Sequence, residues 1–284
     1  MLGFPGAAVV GAPLDAGFTV ARAAAAAQQR FVLAASADDN SIRLVRIQSG
    51  GLSVRTIDGA LQLPDRMVLS PSARSAILYR GSPARFQVIT GLPDEPVAAP
   101  EVAVDDLGVA VALAVSDDGQ LALLAMDWGS VWLFDSDGGR VPVSVSAAIA
   151  AVCFRPDGRD ALAAARNGEL YTIQAGGATS LYGQIAGDRV ADPVAVQLSR
   201  DGSRAQVAYA QGLIATFDST AGVSKTVSCQ CQPTDLDPVN AAMIFRVNGV
   251  SDGPVMLFDA SGADPRTWFV PIDRLPATAQ GDAQ

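Results

Sequence analysis

The sequence predicts an all-β protein, a six-bladed β-propeller of four-stranded antiparallel blades. Three observations lead there: a repeat of about 42 residues, a second turn mark in phase with the first, and a composition suited to strands and turns. An apolar strand ending at glycine recurs six times, as RLVRIQSGG (43–51), FQVITG (86–91), VWLFDSDGG (131–139), LYTIQAGG (170–177), IATFDSTAG (214–222) and VMLFDASG (255–262). Gly50, Gly91, Gly138, Gly177, Gly222 and Gly262 stand 41, 47, 39, 45 and 40 residues apart, the spacing of a propeller blade. The second mark is the turn VSDDG (115–119), FRPDG (154–158) and LSRDG (198–202), with LSPSA (69–73) as a variant without glycine. From Ser116 to Asp135, Arg155 to Gln174 and Ser199 to Asp218 the separation is 19 each time. Each Asp-Gly pair suits a tight hairpin in which glycine takes the positive φ.

Unit three serves as the template, with strands A to D at 109–115, 120–126, 131–135 and 141–146. Runs such as VALAV and QLALLAM are apolar on both faces, as expected where each sheet is sandwiched between neighbours, and the mean hydropathy is accordingly high at +0.26. The small residues of VAVALAV (109–115) suit inner strands crowding a narrow axis. Unit one contributes FTVA, FVLAAS, IRLVRI and LSVRTI. Its run Ala23–Ala27 and the two following glutamines are read as a lengthened A–B loop rather than a helical turn, because five alanines are too short to hold a helix. Unit six contributes a strand near 231–236, then AAMIFRV, VMLFD and TWFVPI. A seventh full blade does not fit. The expected organisation is an N-terminal segment 1–16, a propeller 17–274 and a disordered tail 275–284, with Ala7–Val10 adding a closing strand to the last blade.

Composition narrows the function classes. The chain has 29 acidic residues, of which only Glu95, Glu101 and Glu169 are glutamates, and 20 basic ones, of which only Lys225 is lysine. Residues of solvated helix faces are scarce, while Asp, Gly and Pro, the turn formers, abound. The net charge of −9 and the absence of a Lys/Arg cluster leave no footprint for nucleic acid. With no histidine at all, Ser-His-Asp and Cys-His catalysis and histidine metal sites are excluded. Neither GxxxxGK[ST], nor GxGxxG after a strand, nor G-x-S-x-G occurs. No run of 18 apolar residues could span a membrane. The first residues lack the basic segment of a signal peptide, and the chain reads as a monomer or as one domain of a larger protein.

Cys153, in AVCF, reads as a small core residue. Cys229 and Cys231 would face one way on an extended strand, as a local bridge, two packed thiols or a soft-metal pair.

The phased turns and the Phe-Asp strand ends at 134–135, 217–218 and 258–259 resemble bacterial WD40-like, YVTN and NHL-type β-propellers across residues 17–272. The pattern departs from true WD40 repeats in lacking the Gly-His and Trp-Asp pairs. The Ala/Arg-rich, Lys-poor style and the segment CQCQPTDLDP are similar to uncharacterised exported propeller proteins of acidobacteria. The resemblance implies an extracytoplasmic ring whose faces bind something.

Two functions fit these observations. The first is a non-catalytic, rigid platform that holds a protein or small ligand on one ring face. Trp128, in the B–C hairpin MDWGS, is the candidate anchor beside Asp127, and Arg80 and Arg166 lie at other B–C hairpins. Arg85 flanks the same group, and Trp132 and Trp268 read as packed between blades. The alternative, implied by six-bladed lactonase-like hydrolases and lyases, is an enzyme with axial Ca²⁺ held by loop Asp and Asn. It would work without the usual histidine. No other cofactor is expected. Asp135-Ser-Asp137-Gly138 opens like a calcium loop but lacks its later ligands and reads as a C–D turn. Asp118, Asp157 and Asp201 read as repeated turn chemistry.

Overall fold

The structure, a computed structural model, describes residues 15–26, 30–49, 51–185, 192–229, 231–240, 243–248, 255–262 and 264–270. Six antiparallel sheets follow one another along the chain. Blade 1 holds β1 (Val20–Ala26), β2 (Phe31–Ser36), β3 (Ile42–Gln48) and β4 (Gly51–Thr56). Blade 2 holds β5 (Arg66–Leu69), β6 (Ala76–Gly81) and β7 (Ala84–Thr90), with an outer strand broken into β8 (Val97–Ala98) and β9 (Val102–Ala103), both paired to β7. Pro100 lies in the break, where a residue without an N–H cannot donate to the ladder. Blade 3 holds β10 (Ala110–Val115), β11 (Leu121–Met126), β12 (Val131–Asp135) and β13 (Arg140–Val143). Blade 4 holds β14 (Ile149–Phe154), β15 (Ala161–Ala165), β16 (Glu169–Ile173) and β17 (Thr179–Gln184). Blade 5 holds β18 (Pro193–Leu198), β19 (Arg204–Tyr209), β20 (Leu213–Asp218) and β21 (Val223–Ser228), and blade 6 holds β22 (Asp237–Asn240), β23 (Ile244–Arg246), β24 (Val255–Asp259) and β25 (Arg266–Val270). The fold is thus the six-bladed propeller that the repeat predicts.

Because the blades stack face to face, the middle strands bury both sides. Every residue of β11 (LALLAM) and β15 (ALAAA) is buried. Successive apolar cores join blades 1–2, 2–3, 3–4, 4–5 and 5–6. Across the 2–3 interface Phe86 meets Phe134 edge to face at 5.0 Å, the arrangement favoured by ring quadrupoles. No comparable core joins blades 6 and 1 among the described residues.

The A–B hairpins repeat one geometry at 70–75, 116–121, 155–160 and 199–204, each closed by a backbone bond from the fourth residue to the first. Gly119 and Gly202 take the positive φ, at 68° and 75°. In blade 2 Ala73 takes it instead, at 53°, so the glycine-free variant LSPSA makes the same turn at the cost of some strain.

Four expectations are corrected. In blade 4 the positive φ belongs to Asp157 (56°), and its carboxylate no longer folds over its own turn but reaches other blades. The alanine run is no loop: β1 continues to Ala26, in register Ala23 with Ala34 and Ala26 with Phe31. An innermost strand needs small side chains more than it needs strand propensity. Strand A of blade 6 is Asp237–Asn240, after the 231–236 segment. Blade 3's outer strand runs Arg140–Val143 rather than 141–146. Ala7–Val10, the two glutamines after Ala27 and residues 275–284 lie outside the described residues. Among the described residues no helix is long and apolar enough to cross a membrane.

Candidate functional site

Strand A of each blade starts at one face of the ring, here the upper face. The B–C hairpins and the connections between blades therefore share that face, while A–B and C–D turns form the lower one. The inner strands enclose an axial channel of about 950 Å³. Its wall is built largely from small apolar residues, among them Ala21, Ala23, Val68, Ala112, Ala114, Ala151, Val194 and Ala195. The charged side chains that line it are Arg22, Asp65, Arg66, Arg166, Asp192 and Asp235, gathered at the upper end.

Packing fixes these groups. Asp65 accepts a bond from Gly81 N at 2.7 Å, and Arg66 Nη1 donates to Val111 O at 2.5 Å. Arg166 pairs with Asp192 across the step from blade 4 to blade 5. Asp235 lines the channel beside blade 6. Burial, seconded by the Asp237 carboxylate, pushes its pKa well above the usual carboxylate range, against the Leu236 N–H bond and the Arg246 charge. Arg246 is already paired with Asp237.

The sequence-predicted residues sit on the same upper face in three different blades. Trp128 stands at the tip of the blade 3 hairpin, 86% exposed. Asp127 turns back, its Oδ1 accepting from Val109 N at 3.2 Å while its own N–H donates to Val109 O at 2.8 Å. A Cβ at Gly108 would lie 2.6 Å from that carboxylate, and Gly108 has φ of 96°, so this glycine is required for the hairpin to dock. Arg80, next to last in β6, has its Nε buried and without a hydrogen-bond partner. Only Arg166 reaches the channel; no contact among the described residues joins the four to one another. Arg85 pairs with Glu101 at 2.8 Å. Trp132 packs on the core between blades 2 and 3, while Trp268 is half-buried on the outermost strand, with Arg266 over its ring at 4.8 Å.

On the lower face Asp118 and Asp201 cap their own turns, accepting from Gln120 N and Ser203 N at 3.0 Å. Asp135 likewise accepts from Gly139 N at 2.7 Å, the C–D turn expected of it. The residue that sequence reading passed over is Asp117, which is 7% exposed. It accepts from Ser72 N (2.7 Å), Ser72 Oγ (2.8 Å) and Asp157 N (2.7 Å), tying three blades together. Asp157 in turn pairs with Arg74 and Arg200 at 3.3 and 2.6 Å. These contacts cross-link the A–B turns of blades 2 to 5. The upper channel group was also passed over, although an Asp standing just before the inner-strand segment in PDRMVL (64–69), DPVAVQL (192–198) and TDLDPV (234–239) marks it.

Cys229 and Cys231 form a disulfide in the connection from blade 5 to blade 6, which selects the local bridge among the three readings. Cys229 N donates to Gly212 O at 2.8 Å, so the bridge packs against blade 5's B–C hairpin. Cys153 is buried, and desolvation pushes its thiol up to about 12.

The donor set does not fit an axial calcium ion. Such an ion takes six to eight oxygens, whereas the channel wall is alanine and valine, and no three of Asp, Glu and Cys converge among the described residues.

No protein-family model and no curated protein matches the chain. Among solved structures, it is similar to a functionally unknown protein from Desulfotomaculum acetoxidans DSM 771, with a TM-score of 0.61 and 17% identity over 90% of each chain. At that identity the likeness speaks for the fold alone.

Proposed function

We propose that this chain is a non-catalytic propeller, related in kind to the bacterial WD40-like, YVTN and NHL-type rings, that recognises a protein or small ligand on its upper face. The observation that carries the reading is Trp128, a large aromatic held 86% exposed on a hairpin pinned by Asp127. Rigid exposed aromatics are the usual anchors of recognition because they bring area at small entropic cost. Arg166 and the neighbouring channel charges supply polar complementarity on the same face. An extracytoplasmic location agrees with the Cys229–Cys231 bridge, since disulfides persist in oxidising compartments. The enzyme reading finds no observation in its favour: there is no histidine, the one lysine lies on the outer strand β21, and among the described residues no set of metal ligands converges on the axis.

The test is cross-linking of the tagged protein in an envelope fraction, with the cross-linked peptides mapped by mass spectrometry. A partner lost with Trp128→Ala and Arg166→Ala but kept with the lower-face variant Asp118→Ala supports the reading. Cross-links confined to the outer strands would count against it.

A further inference from the structure

Among the described residues apolar cores join five of the six blade interfaces, and at the sixth, between blades 6 and 1, a second cavity of about 720 Å³ opens. It is continuous with the axial channel, sharing Gln197, Thr234 and Asp235 with it. Its volume lies in the range of small-molecule sites.

The two walls differ in chemistry. Phe31 and Leu33 of β2 face blade 2, so the alternating residue Val32 and its strand partner Ala25 face the seam. They make an apolar wall that Met67 and Leu69 extend. Most of β1 is exposed, unlike the other inner strands. The opposite wall carries Gln197, Thr234, Asp235, Asp237 and Arg246. Two carboxyl groups there face one guanidinium, which already donates to Asp237. Behind Gln197, in the same cross-strand row, Gln206 is completely buried with neither amide atom partnered, and Thr216 Oγ1 beyond it is also buried without a partner. Orphaned buried amides are rare enough to require an explanation. Gln206 and Thr216 lie on the face of blade 5 that meets blade 6, alongside Ala208 and Ile214, beneath Gln197 and outside the lining of the cavity itself.

We propose that the seam between blades 1 and 6 is a binding site for a primary organic ammonium carrying an apolar chain. The apolar body would lie on Ala25, Val32, Met67 and Leu69. The ammonium would donate its three N–H bonds among Asp235, Asp237 and the oxygens of Gln197 or Thr234. A carboxylate ligand would meet the Asp237 charge and drive Asp235 further toward its neutral form, with no proton released. A quaternary ammonium would have no N–H to donate and, among the described residues, no aromatic ring in the cavity lining to replace it. The raised pKa of Asp235 adds a signature: a cation beside it favours the ionised form, so binding near neutral pH releases a proton. The charged groups around Asp235 are Asp237 and Arg246 on the seam, with Arg22, Asp65, Arg66, Arg166 and Asp192 along the channel. The site shares Asp235 with the charges at the upper channel mouth but includes neither Trp128 nor Asp127, and it does not depend on the Trp128 reading.

The full chain would be titrated calorimetrically at pH 7 with hexylammonium, hexyltrimethylammonium, hexanol and hexanoate, in phosphate and in HEPES. Hexylammonium should bind at least tenfold more tightly than the other three, with a buffer-dependent heat that reports proton release. Asp235→Asn should weaken hexylammonium at least tenfold, abolish the proton release and leave hexanol unchanged. Ala25→Phe, which fills the seam from the apolar wall, should block binding without touching the acids. Trp128→Ala should bind hexylammonium as the parent does. Equal affinity for hexanol or hexanoate, or unchanged binding in Asp235→Asn or in a folded Ala25→Phe, would overturn the proposal.

Discussion

Asp117→Ala should destabilise the ring far more than Asp118→Ala, although only Asp118 stands at the phased turn position. Asp117 is almost completely buried and accepts two backbone N–H groups and a hydroxyl from blades 2 and 4. Removing it leaves Ser72 N and Asp157 N without that acceptor. Bonds to a charged group are worth about 1.5–3 kcal/mol each, and an orphaned buried donor costs about as much, so the loss should be about 3–5 kcal/mol. Asp118 makes bonds within its own turn and an ion pair with Arg159 whose two side chains are 57% and 41% exposed. Such pairs contribute at most about 1 kcal/mol. Urea unfolding of the two variants, with m values compared to verify that the same surface is exposed, measures the difference. At roughly 2–4 °C per kcal/mol the gap should also be plain in thermal scans. Losses within about 0.5 kcal/mol of each other, inside the usual spread of surface changes, would refute the claim that one carboxylate links three blades.

Three further outcomes are expected. Gly183→Ala should cost about 1–3 kcal/mol by overpacking, because a Cβ there would meet the Phe217 ring at 2.1 Å; Phe217→Leu should recover part of the loss in the same unfolding assay. Thiol titration should find no reactive thiol in the native protein, one after unfolding without reductant and three after unfolding with it, since Cys153 is buried with a raised pKa and the other two are bridged. In pH-dependent urea unfolding two carboxylates should act oppositely. Bonds from the Ser199 hydroxyl and from Ser203 hold Asp201 at about 2, so its contribution is present above the ordinary aspartate value and disappears as pH falls towards 2. Asp201→Asn should flatten that limb. Burial raises Asp235, so its contribution is present below the ordinary value and is lost as pH rises through the folded one. Asp235→Asn should therefore gain on the parent between pH 4 and 8.

How much could be read in advance follows the range of the interactions. The turn capped by Asp201 closes within six residues, between Ser199 and Arg204, and such turns recur in phase, so they exposed the blade repeat directly. Trp128 was visible for the same reason: a hairpin tip exposes its residue whatever the rest of the molecule does. The alanine run of β1 misled because its conformation is imposed from outside, by pairing with β2 and by lack of room at the axis. Asp117 was passed over because its partners lie 45 and 40 residues away, one blade to either side.

The sequence by itself determined the number of blades, the strand order within each and the faces to which the hairpins belong, since all three depend on turn chemistry within a few residues. Only the tertiary structure decided which carboxylates meet at the channel mouth, which aspartate links the lower turns and where a cavity opens between the described residues of blades 6 and 1. Those outcomes depend on how six sheets share the space around one axis. No local segment encodes that geometry, because each blade contributes only one or two of the groups involved.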